Sequence, residues 1–151
     1  KIRIEAMQTV IPANPTCPRI STKLAVNPKD SPVSTTAAAF HVVLIFKKAW
    51  ERDSGWVQAG WIKESLGDAL NGNPIFAGRL RRCDGGMEIV ANDSGVRLVE
   101  ARTDVAVAEF LKTAAEKGRG DAAETAAEFV FWEDLPEENT NFSPLLYVQV
   151  S

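Results

Sequence analysis

The chain has little of what most site chemistry requires. Its 151 residues include one histidine, His41, and two cysteines, Cys17 and Cys83. A zinc site is excluded within the chain, because neither cysteine has a close-spaced partner and only one imidazole is available. The two cysteines are far apart in sequence, and in a cytosol-like composition they read as free thiols rather than a disulfide. No glycine-rich phosphate loop is present: Gly72, Gly78, Gly85, Gly86 and Gly95 fall at turns or in a strand, without either fingerprint spacing. The longest apolar run, Val42 to Phe46, has the length of a strand and is far below the roughly 20 residues that span a bilayer. No excess of positive charge exists either. A formal charge of −3 and a pI near 5.2 give no electrostatic footing for nucleic acid or an anionic membrane. No signal-peptide pattern is visible, and cytoplasmic residence is the expectation.

What is present suits one folded domain: 45% of residues are apolar, enough to build a core at this length. Ile2, Ile4 and Ala6 alternate with Arg3 and Glu5, the period of a half-buried strand. Pro12, Pro15, Pro18, Pro28 and Pro32 then punctuate a stretch expected to hold no regular ladder. Phe40 to Phe46 is β-branched and aromatic, and is expected to be a largely buried strand. From Val57 to Leu70, apolar residues at 57, 61, 62, 65, 66, 69 and 70 draw an amphipathic helix. Asp53 and Ser54 are candidate caps before it, and Asn71-Gly72 with Pro74 supplies its stop. Arg79 to Cys83 and Met87 to Ala91 flank Asp84-Gly85-Gly86, a strong hairpin signal. Asn92 to Gly95 turns the chain into a further strand, Val96 to Ala101. Val107, Phe110, Leu111 and Ala114 mark a second helix behind the candidate caps Thr103 and Asp104. Lys117 to Ala127 reads as a solvated loop or weakly helical insert, and Leu145 to Val150, after Pro144, as a buried strand.

The residues that could carry chemistry each have a plainer reading beside the functional one. His41 lies within the Phe40–Phe46 segment with no Ser, Cys or Asp at a diagnostic spacing, so a strand histidine is favoured over a general base. Glu133, Asp134, Glu137 and Glu138 crowd one turn without the alternation of a calcium loop, and read as an acidic surface rather than a metal site. Trp50, Trp56 and Trp61 could stack bases or sugars; Trp61, in the helical stripe, is expected in the core. Arg79, Arg81 and Arg82 form a possible anion patch, with an ion-paired or solvated sheet face as the favoured alternative. Asn92-Asp93-Ser94 and Asn141-Phe142-Ser143 are formal glycosylation sequons that matter only on a secretory route. Arg119-Gly120-Asp121 reads as a chance match to an integrin motif.

One block says more than these. "ESLGDALNGNPIFAGRLRRCDGGMEIVANDSGVRLVEA", Glu64 to Ala101, runs from helix end through "NPIFAGRL" and a hairpin into "GVRLVEA". It resembles the N-terminal signature of the plant BAHD acyl-CoA-dependent acyltransferases, as do Val10 to Thr16 and "FSPLLYVQV", Phe142 to Val150. The resemblance implies an α/β fold, a mixed β-sheet with flanking helices, of the kind that makes a chloramphenicol-acetyltransferase-like half domain. It also implies that residues 1–151 are the N-terminal portion of a two-domain protein, with a second chain or a C-terminal remainder as partner and the missing part bearing the His-x-x-x-Asp motif. In that family the motif histidine takes a proton from an acceptor hydroxyl or amine as the acceptor attacks an acyl-CoA thioester. No residue here matches the motif, so no catalytic residue is carried over. Acyl-CoA is expected as co-substrate of the full protein and not as a ligand bound by this chain.

The resemblance places the Ser34 to Phe40 segment nearest the acceptor, a small plant metabolite, which makes Thr35, Thr36 and Phe40 the candidate channel residues. Many family members carry a Leu-Ser-x-x-Asp-like segment where this chain has Val33-Ser34-Thr35-Thr36-Ala37-Ala38-Ala39, without the Asp. Parts of the chain look closest to a branch that does not always keep His-x-x-x-Asp. The alternative is therefore a catalytically silent relative with a structural, storage or binding role.

Overall fold

The computed structural model describes residues 2–24, 41–46, 50, 55–84, 86–131 and 142–151. Strand β1 (Arg3–Val10) is followed by β2 (Ile20–Lys23), helix α1 (Gly55–Gly72) and a short 3-10 turn (Pro74–Ala77). Strands β3 (Arg79–Cys83), β4 (Gly86–Ala91) and β5 (Val96–Arg102) come next, then helix α2 (Val107–Ala127) and strand β6 (Tyr147–Val150). The strands make two three-stranded sheets, one ordered β1-β5-β6 and the other β2-β4-β3. The chain is thus mixed α/β, as the pattern of periods implies.

In the first sheet β5 is central. It pairs antiparallel with β1 from Arg3↔Arg102 to Val10↔Val96, with an irregularity between Ile4 and Ala6. On its other side it pairs parallel with β6, from Arg97↔Tyr147 to Glu100↔Val150. This central place explains the composition of β5: Val96, Leu98 and Val99 are fully buried. Val10, Val96, Leu98, Leu70 and Ala77 form the core cluster, with Leu66, Leu146, Val148 and Val150 packed against it. Each fully buried Leu or Val contributes about 1.5–3 kcal/mol relative to an exposed position. On the opposite face, Gln149 lies in register with Val99. Its side-chain amide accepts from Phe131 N and donates to Phe129 O at 2.7 Å, which seats the segment leaving α2 over that face. Phe131 then meets the Tyr147 ring at 5.7 Å.

The second sheet is the expected hairpin with an added strand. β3 and β4 pair from Arg79↔Val90 to Cys83↔Gly86. β2 joins β4 from Ile20↔Ala91 to Lys23↔Glu88. That strand corrects the expectation of no ladder in the proline-rich stretch. Residues 20–23 lie between Pro18 and Pro28 with every backbone N–H intact, so the prolines bound the strand rather than preclude it.

Three further expectations are corrected. The described part of the Phe40–Phe46 segment, 41–46, lies outside both sheets, with Val42, Leu44 and Phe46 70%, 71% and 77% exposed. β-propensity is a preference for a covered, pleated position, and both places beside the buried β5 are taken by β1 and β6. Helix α1 forms over the expected span, but it buries Ala59, Gly67 and Leu70 and leaves Val57, Trp61 and Ile62 exposed. The apolar positions mark two sides of the helix, and the buried side was hidden by its small residues. Gly67 is inward because the helix lies against Ile11 and Ala13, whose N–H donates to Gly67 O at 3.0 Å. Helix α2 continues through 117–127, and its N-cap is Ala106, with no side-chain cap bond. Thr103 instead accepts from Val105 N at 3.3 Å. Asp53 and Ser54 lie outside the described residues.

Candidate functional site

The signature block folds into a junction between the two sheets, with Arg79 at its centre. β3 begins where the 3-10 turn ends, and Gly78 lets this happen. A Cβ there would stand 2.4 Å from Val90 O and 2.9 Å from Ile75 O, so only glycine lets the backbones approach this closely. Gly95, at φ +84, ends the turn between β4 and β5; a Cβ on it would stand 2.6 Å from Val10 O. Gly95 N also donates to Ala77 O at 2.9 Å. Both glycines of the block are therefore required by contact with neighbouring backbone.

Arg79 is 7% exposed and is spent on backbone. Its Nη1 donates to Gly78 O at 2.8 Å and to Gly95 O at 2.7 Å, and its Nη2 donates to Ser94 O at 3.0 Å. Burial, and then the nearby Arg97 guanidinium, pull its pKa below the ordinary arginine value, with Tyr147 acting in the opposite sense. It still carries its charge at neutral pH, as arginine does in proteins. Residues 79 and 80 also receive the chain that enters β6: Arg79 bridges Pro144, and Phe142 N donates to Leu80 O at 2.8 Å. Arg79 thus ties β3 to the turn that starts β5, beside the segment that starts β6.

A second polar cluster lies on the β2-β4-β3 sheet. Glu88, 7% exposed, accepts from Ser21 Oγ on β2 and from Arg81 on β3, whose Nη2 approaches to 2.6 Å. Lys23 is in register with it from β2. The Ser21 hydrogen bond, then the Arg81 hydrogen bond, hold the Glu88 carboxyl below the usual carboxylate range, against a smaller opposing effect of burial. A third tie reaches the proline-rich loop. Asp93, at φ 57, accepts from Thr16 N at 2.8 Å and from Thr16 Oγ1 at 2.6 Å. Asn71 Oδ1 accepts from Asn14 N at 2.8 Å.

These arrangements anchor backbone; none presents an activated nucleophile. A carboxylate with a lowered pKa is a poor proton acceptor at neutral pH, so Glu88 does not make Ser21 a nucleophile. The three arginines proposed as an anion patch are not brought together as one: Arg79 clamps carbonyls and Arg81 pairs with Glu88. Arg82 has the register position opposite Met87, one step along the strand and hence on the other face from Arg81. Thr35, Thr36 and Phe40 lie outside the described residues, as does the acidic turn 133–138. His41 is exposed and lies outside both sheets. Trp50, Trp56 and Trp61 are 75%, 79% and 64% exposed, which corrects the core position expected for Trp61. Cys17 and Cys83 are free thiols. Among the described residues no group of three or more His, Cys, Asp or Glu could hold a metal, and no helix is long and apolar enough to cross a membrane. The Asn92 side chain accepts from Ser94 N at 3.2 Å, a local turn contact inside the sequon; Asn141 lies outside the described residues.

Glu88 was readable in the sequence, because a two-residue hairpin turn at Asp84-Gly85 puts it opposite Arg81. The Thr16–Asp93 tie carried no sequence signal, since it links residues 77 apart. With this junction in view, the class of the chain can be stated: its function is of the acyltransferase type. The family model described as "Transferase family" matches residues 1–151, and the chain belongs to that family, the BAHD acyltransferase domain family. No curated protein matches the chain.

Proposed function

We propose that this chain is the N-terminal portion of an acyl-CoA-dependent acyltransferase that passes an acyl group to a hydroxyl or amine of a plant metabolite. The observation that carries the reading is the match of the Transferase family model to all of residues 1–151. In this reading the acceptor's O–H or N–H proton goes to a histidine in the remainder of the protein as the acceptor attacks the thioester carbonyl. The C–S bond breaks, and CoA leaves as its thiol. A neutral imidazole is suited to that proton transfer near pH 7. This chain contributes scaffold: the Arg79 junction fixes β3, β5 and the start of β6 relative to one another. Thr35, Thr36 and Phe40 line the acceptor side of the channel, the partner is the remainder of the same protein, and the protein works in the cytoplasm.

The test is release of CoA by the full protein across a panel of acyl-CoAs and small hydroxyl- or amine-bearing acceptors. Release with at least one pair is the expected result. Absence of release with every pair would favour the catalytically silent alternative.

A further inference from the structure

The apolar residues Val42, Val43, Leu44, Ile45 and Phe46 run consecutively without a charge or a proline, and all five are exposed, from 42% at Ile45 to 77% at Phe46. An exposed β-prone run of this kind is a template for pairing with another chain. We propose that it pairs with the same segment of a second copy of this chain, as two antiparallel strands related by a two-fold axis through Leu44.

The order of the residues favours a copy of itself as the occupant. Centring the axis on Leu44 sets Val42 opposite Phe46, Val43 opposite Ile45 and Leu44 opposite Leu44. Aromatic against β-branched is among the better cross-strand pairs, and the arrangement occurs twice by symmetry. Homodimer interfaces are also the more apolar class, with charged residues depleted at their centre. Five side chains alone fall short of the roughly 800 Å² per partner of a standard interface. The exposed Trp50, Trp56 and Trp61 follow closely along the chain, 64–79% exposed. An aromatic of this kind buries about 150–250 Å², so the three together add on the order of 300–500 Å² and bring the apolar surface to the required size. On α1, Val57 and Trp61 are four residues apart and share one face, which continues the apolar surface from the segment onto the helix.

The experiment uses the 151-residue chain with Cys17→Ser and Cys83→Ser as background. Light scattering at about 100 µM is expected to give twice the 16.4 kDa of one chain. Leu44→Cys is expected to form an intermolecular disulfide within minutes of mild oxidation, because directly opposed Cβ atoms stand about 4.5–5.5 Å apart. Val42→Cys is expected to crosslink at least tenfold more slowly, since its copies lie several residues apart across the axis. Leu44→Asp, at a 71% exposed position, is expected to give a monomer with an unchanged far-ultraviolet spectrum. A monomer at 100 µM would overturn the proposal, and so would equal crosslinking rates at positions 42 and 44. Slow amide exchange at 42–46 in a monomer would also overturn it, by assigning the segment to a site within its own chain.

Discussion

The two sheets are held by different physics. In β1-β5-β6 the central strand is buried on both faces, and cohesion comes from Val96, Leu98 and Val99 against Leu66, Leu70, Val148 and Val150. In β2-β4-β3 the strand β2 is exposed along its whole length, and it is held across the ladder by Ser21 on Glu88, which Arg81 holds from the other side. Apolar burial is cooperative and insensitive to pH, whereas the polar tie depends on one ionised carboxylate. The first sheet should therefore set the global stability of the chain, and the second should be able to loosen locally, as weakly buried elements do. Arg79 and the two glycines beside it are the links between these regimes.

The largest expected effect comes from the apolar sheet. Leu98→Ala should cost about 2–5 kcal/mol, because it opens a cavity at the centre of the core. Urea unfolding followed by far-ultraviolet signal checks this; a cost below 1 kcal/mol would mean that β5 is not the centre of cohesion. Arg79→Met keeps the bulk but removes three charge-assisted bonds to carbonyls, and should cost about 1.5–3 kcal/mol. Arg79→Lys should restore only part of that, since an ammonium lacks the planar fork that reaches Gly78, Ser94 and Gly95 together. Gly78→Ala should cost about 1–3 kcal/mol through overlap with Val90 O, a backbone atom that cannot step aside cheaply. In both junction variants, amide exchange should quicken in β3 and at the start of β5 together, which is the sign that they link the sheets.

The smallest expected effect is local and depends on pH. The folded-state pKa of Glu88 is lowered, so its stabilising contribution is complete above the ordinary carboxylate range and is lost as pH falls through and below that range. Glu88→Gln should therefore lower Tm at neutral pH, and the gap to the parent chain should close in acid. Amide exchange at β2 should rise in this variant while exchange at β5 stays unchanged. Equal acceleration in both sheets would erase the distinction between them.

How far the sequence foretells this structure follows the same division. The hairpin is legible because Asp84-Gly85 leaves few ways to join two alternating strands, and β5 is legible from its run of buried residues. β2 was not, because four half-polar residues between prolines carry no period strong enough to announce a strand. Helix α1 was legible in extent and misread in orientation: Ala59 and Gly67 bury a face without adding hydrophobic signal, while Trp61 adds signal on a face that is exposed. Arg79 could be seen as a charged residue in a strand, but its burial is set by carbonyls at 94 and 95 that only the folded turn brings near. The channel candidates Thr35, Thr36 and Phe40 rest on resemblance to a family, since no periodicity or spacing in the sequence singles them out.

The claim that organises the account is that this chain is a scaffold portion of an acyl-transferring enzyme, and CoA release tests it most directly. The full protein, supplied with a panel of acyl-CoAs and small hydroxyl- or amine-bearing acceptors, should release CoA with at least one pair, and that release should disappear in the chain of 151 residues alone. Absence of release by the full protein with every pair, or equal turnover by the 151-residue chain, would contradict it.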